Sequence, residues 1–360
     1  MIKISHTVKL LRFCLFSLLG VTVLVGQLLV PGYVLLLDWI AGPTVLLPYT
    51  NISNFIYAPS NIPILFLSLF MHPWVVQKML LLGVVFSLFF VPLIYFPWTQ
   101  YRLAPYFVSL LAVVNPFVYE RLLAGQWRVL VGYVCLFPLF YYLFKFRRDG
   151  SRQSALGICL TLLFTGMWSI HFLAIGIVVT MIYLGAYFIS LLKAREVNNL
   201  YARSKNILLV LVLFLVCSLY WIIPLAILGS NQLENFTDND YSAFTTTRDP
   251  NIGVVLNVLT LRGFWATGEG WGEQFKLPGD NAALFYTACV GIFILLIIGW
   301  LTLRRQIEQR FEANLMLILL VCATIFATGV SAYGLWQINY WLLENIPFWN
   351  GFRDAQKWVG

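Results

Sequence analysis

Residues 115–128 read NPFVYERLLAGQWR and set Glu120, Arg121, Gln126 and Arg128 between two long apolar runs. Four strongly hydrated groups are costly away from water, so their meaning depends on the solvent around the flanking runs. The chain of 360 residues is 60% hydrophobic and 11% charged, with a mean hydropathy of +0.82. That composition lies outside the range of a soluble domain. Apolar runs of about 20 residues, enough to cross roughly 30 Å of hydrocarbon as a helix, recur along almost the whole sequence. They are too long and too uniform for barrel strands, and lipid leaves no partner for an open backbone. The fold class is therefore all-α, a polytopic transmembrane helical bundle.

Nine spans are predicted, at about 10–30, 74–97, 104–119, 127–144, 153–169, 172–192, 207–228, 281–303 and 313–330. Lys3, Lys9 and Arg12 precede the first, whose long apolar core lacks a small-residue cleavage site and so reads as an uncleaved anchor. The chain reads as one transmembrane domain over 1–360, with extracytoplasmic loops at 31–73 and 229–280. The end of segment 331–360 reads as the start of a tenth span, and hence as a piece of a longer protein. All six cysteines fall inside predicted spans at no metal-ligand spacing, where thiols behave as small apolar groups.

Charge sets the orientation. With a cytoplasmic N-terminus, the inner segments hold 15 of the 23 basic residues, and 11 of the 15 acids fall outside. The net charge of +8 then expresses the positive-inside rule and calls for no nucleic acid. Cutting 61–97 into two spans would move KFRRDGSR (145–152) and KAREVNNLYARSK (193–205) outside, so 61–71 reads as a helix in the outer interface, punctuated by Pro63 and Pro73.

This topology gathers the polar residues on the extracytoplasmic face. Asp38, alone among apolar neighbours in PGYVLLLDWIAGP, is either an interfacial carboxylate beside Trp39 or a base whose pKa a dry setting would raise. In the opening stretch Glu120, Arg121, Gln126 and Arg128 form a turn that could be merely wet; two arginines with an acid can also hold a phosphate at the bilayer surface, and that account is favoured. His171, in the turn WSIH, could donate a hydrogen bond nearby. The loop 229–280 alternates acids and rings in GFWATGEGWGEQF, a composition suited to stacking on sugars, and DNDY (238–241) lacks the register of a calcium loop. Arg353 and Lys357 stand near the end of the sequence.

One span, a long outer loop with a single Asp, polar outer turns, and the motifs NPFVYERLLAGQW and FRDAQKWVG together resemble the GT-C superfamily of membrane glycosyltransferases. More narrowly, the motifs look like those of multi-spanning bacterial and archaeal proteins grouped with it. The resemblance implies a polyprenyl-phosphate-linked sugar donor with its tail among the spans, and transfer with inversion to a glycan, lipid or protein acceptor. Asp38 would be the base, and Arg121, Arg353 and Lys357 would neutralise the leaving phosphate. A single Asp, where several branches have an acidic pair, leaves a divalent metal open, and no cofactor is otherwise indicated. The alternative is a transporter or flippase for a lipid-linked sugar, although the sequence has no internal repeat and no acid deep in a span.

Overall fold

The computed structural model describes residues 6–39, 57–96, 102–228, 242–268, 270–276, 282–346 and 349–360. Among them the regular structure is helical, with two isolated β-bridges, Leu36 to Trp39 and Asp249 to Gly253, as the only extended pairings. The chain divides into two compact units, Met1–Gly229 and Ser230–Gly360, where the sequence reads as one continuous domain.

The first unit carries α1 (His6–Val25), α2 (Ala58–Ser68), α3 (Pro73–Tyr95), α4 (Ala104–Val113), α5 (Pro116–Ala124), α6 (Trp127–Asp149), α7 (Arg152–Trp168), α8 (Ile170–Lys193) and α9 (Val197–Leu228). α6 is its centre, packed on α3, α7 and α8, with Leu130, Leu139, Leu143 and Phe146 fully buried. α2 has 11 residues, too few to cross a bilayer, and exposes Ile62 and Phe66. A short helix thus overlaps the one expected at 61–71.

Among the described residues seven helices are long and apolar enough to span, where nine spans were expected. The segment 104–119 is broken: Val114 and Asn115 separate α4 from α5, which meet at 43°, and together they would make an eighth span. The cause is local. Pro116 cannot continue a hydrogen-bonded turn, and Asn115 caps the new helix by accepting from Val118 N–H at 3.0 Å while its amide donates to Leu111 C=O at 2.8 Å. The segment 153–169 is α7, whose 17 residues reach about 26 Å, just short of the hydrocarbon thickness.

The two ends of this unit differ. At one, Tyr187 Oη and Arg203 Nη1 donate to Arg147 C=O and Asn206 Nδ2 donates to Gly150 C=O, tying together the ends of α6, α8 and α9. The opposite end carries Trp127, Trp168 and residues 30–39.

The second unit contains α10 (Gly253–Leu259), α11 (Ala282–Leu303), α12 (Arg310–Ala327) and α13 (Trp336–Asn345). Residues Trp349–Phe352 and Ala355–Trp358 form 3₁₀ turns, the second with all four residues buried, where the opening of a tenth span was expected. Phe326 of α12 packs on Trp349 and Trp358.

Candidate functional site

The motif 115–128 builds one end of the first unit. α5 closes in a Schellman arrangement: Gln126 N–H donates to Arg121 C=O at 2.9 Å and Gly125 N–H to Leu122 C=O at 3.1 Å. Gly125 takes φ +76°, open to glycine at little cost. It is also a seat. A Cβ there would lie 2.7 Å from Leu36 Cβ and 3.0 Å from Trp39 Cβ, so the missing side chain lets the 36–39 turn rest on the end of α5. Asp38 N–H completes that docking by donating to Ala124 C=O at 2.7 Å.

The side chains follow from this seat. Arg121 Nη1 donates to Gln126 Oε1 at 2.6 Å, and Gln126 Nε2 donates to Asp38 Oδ2 at 2.6 Å. The amide thus joins a guanidinium to a carboxylate 88 residues from it in sequence. Arg121 and Glu120 are fully buried, which overturns the account of a wet turn. Asp38 is exposed, which favours the first of its two readings, a carboxylate beside Trp39, over one in a dry setting. Arg121 reaches it through Gln126.

Arg128 lies next to this chain. Its guanidinium donates to Asn61 Oδ1 of α2 and lies 4.5 Å from the centre of the Tyr57 ring and 5.1 Å from that of Trp127. Burial raises the Tyr57 phenol above its ordinary value, against the opposing pull of Arg128, so it stays a neutral donor at physiological pH. Trp127 in turn contacts Trp39 at 5.3 Å and Trp168 at 5.6 Å. His171, in the first turn of α8 after Trp168, is half-buried at the same end.

Asp38, Glu120, Arg121, Gln126, Arg128 and His171 therefore share one end of the first unit. Arg353 and Lys357 belong to the second unit. There Lys357 Nζ lies 3.6 Å from Asp354 Oδ2, an ion pair with both side chains nearly buried, and the Arg353 guanidinium stacks 4.4 Å from the Phe244 ring centre. The rings of GFWATGEGWGEQF mostly pack on one another: Trp265 meets Phe244 and Trp271, and Phe264 meets Phe275. Trp271 keeps an exposed face. Glu269 and DNDY fall outside the described residues.

Four contributors at the first unit's polar end were not singled out by sequence: Tyr57, Asn61, Gln77 and Lys78. The pair Gln77 and Lys78 had a signal, since it interrupts the apolar run WVVQKMLLLG at the head of α3. Gln77 clamps the 30–39 loop, accepting from Val34 N–H at 3.0 Å and donating to Val34 C=O at 2.6 Å. Tyr57 and Asn61 had none, as their role comes from contact with Arg128. No protein-family model, curated protein or solved structure matches the chain.

Proposed function

We propose that the chain is a membrane glycosyltransferase that moves a sugar from a polyprenyl-phosphate donor to an acceptor hydroxyl at the extracytoplasmic face, with Asp38 as the general base. The observation that carries this reading is the hydrogen-bonded chain Arg121, Gln126, Asp38, which fixes an exposed carboxylate at the polar end of the bundle. The chemistry balances as a displacement. Asp38 takes the acceptor hydroxyl proton, the acceptor oxygen bonds the anomeric carbon from the far face, and the bond from that carbon to the phosphate oxygen breaks. The polyprenyl phosphate leaves with the electron pair, and exposed Asp38 returns its proton to water. Arg128, held by Asn61 and two rings with no carboxylate partner among the described residues, is suited to the charge that grows on the leaving phosphate.

The orientation belongs to the same proposal. The end of the unit around Arg147 carries the basic runs 145–152 and 193–205, which the positive-inside rule assigns to the cytosol. Asp38 then faces outward. The test is the full chain reconstituted with a polyprenyl-phosphate sugar: Asp38→Asn should abolish transfer and leave donor binding intact, and unchanged turnover would overturn the role.

The broken helix of α4 and α5 supports a second reading, a carrier of lipid-linked sugar, because transporters build sites at interrupted helices. Liposome assays separate the two: a carrier moves the intact donor between leaflets with no acceptor present, whereas the transferase yields glycosylated acceptor and free polyprenyl phosphate.

A further inference from the structure

Taking an ammonium out of water is costly unless a negative charge or a full set of acceptors replaces the solvent. Lys78 stands in that position. Its residue is 7% exposed, in the second turn of α3, and its Nζ donates to Val30 C=O and lies 5.5 Å from the centre of the Trp74 ring. Those contacts engage one of three N–H donors and one ring face, and neither brings a formal negative charge. Among the described residues no carboxylate pairs with it, whereas neighbouring Gln77 is matched at both ends by Val34. α3 also starts without a side-chain cap at His72, so its first amides add partial positive charge nearby. Beside this head Leu29, Val30 and Leu35 are exposed, an apolar shelf on the same loop that Gln77 and Lys78 hold.

We infer that Lys78 is the cation of an anion site at the head of α3, and that its ligand is a phosphate ester carrying a hydrocarbon tail. A tetrahedral oxyanion can take the two remaining ammonium donors, and the tail can lie on the apolar shelf. The anion site stands on geometry alone; naming the ester as the polyprenyl-phosphate donor rests on the transferase reading.

The test uses the full chain purified in maltoside micelles, with the melting temperature read against added polyprenyl monophosphate, the matching polyprenol, phosphatidylglycerol and inorganic phosphate. Polyprenyl monophosphate should raise the melting temperature and the polyprenol should not. Lys78→Met, close in shape and uncharged, should melt at or above wild type without lipid and need at least tenfold more polyprenyl monophosphate for the same shift. Lys78→Arg should keep the response. An equal response to phosphatidylglycerol would support the site and assign it to bilayer headgroups, and a full response to inorganic phosphate would support it with free phosphate as ligand. A Lys78→Met chain that binds like wild type, or that melts lower without lipid and binds unchanged, overturns the inference and leaves a structural prop for Val30. The assay contains no acceptor, so its failure is distinct from that of the transferase reading, which Asp38→Asn turnover reports.

Discussion

At the scale of residues, the exposed Asp38 carboxylate owes its direction to Gln126, and Gln126 owes its own to Arg121. One hydrogen-bonded chain gives a sharp expectation. Gln126→Ala should lower turnover by roughly a hundredfold while Asp38 remains, because about 1 Å of misplacement is enough for a loss of that size. Arg121→Ala leaves Gln126 Oε1 without the guanidinium that orients it, and should slow transfer to a comparable degree. The double variant should lose no more than the worse single one, since the same chain is cut once; additive losses in a double-mutant cycle would show the residues acting separately.

At the scale of elements, Gly125 links the conformation of α5 to the placement of the 36–39 turn. Gly125→Ala meets both a left-handed backbone and the Cβ atoms of Leu36 and Trp39, so it should destabilise the first unit by about 2 kcal/mol and detach Asp38 from its seat. Thermal melting alongside transfer measures the two effects together, and a neutral Gly125→Ala would mean that the turn does not rest there. In the second unit, Asp249 joins the described part of the large loop to α11. It accepts from Arg262 Nη2 and Tyr286 Oη, both at 2.9 Å, and from the N–H groups of Asn251 and Ile252. Burial pushes this carboxyl up, but the four donors together hold it below its ordinary 3.8. A lowered folded value means that the stability it confers is fully present above about pH 4 and fades as pH falls through the depressed value. Asp249→Asn should therefore lower stability at neutral pH by on the order of 3 kcal/mol, by removing the negative charge that faces Arg262, and should flatten the acid limb of a melting-temperature profile below about pH 4.

At the scale of the whole molecule, the apolar helices match a multi-pass membrane protein, and the two ends of the first unit carry opposite kinds of chemistry. One end holds the basic runs around Arg147 and Arg203; the other holds Asp38, Gln126 and Arg128. In a background with the six cysteines replaced, Asp38→Cys should react with a membrane-impermeant thiol reagent on intact cells, and Arg148→Cys, also at an exposed position, only after the membrane is opened. The reverse pattern would invert the proposed orientation and with it the face on which transfer occurs.

The sequence alone determined the all-helical membrane class, because hydrocarbon forces a long apolar run to satisfy its backbone internally whatever its neighbours do. It also marked Asp38, Arg121, Gln126 and Arg128, since polar groups stand out where each one is costly. Pro116 after Asn115 is legible as a helix start, yet whether one straight span or two bent halves results depends on how α4 and α5 pack. Which polar groups meet was decided only by tertiary structure: Gln126 bridges Arg121 and Asp38 because Gly125 leaves space for a distant turn, and Arg128 finds Asn61, 67 residues earlier on α2, and Tyr57 just before that helix. Composition registers the cost of a polar residue in lipid, but pairing is a matter of angstroms between segments far apart in the chain, and only packing sets those distances.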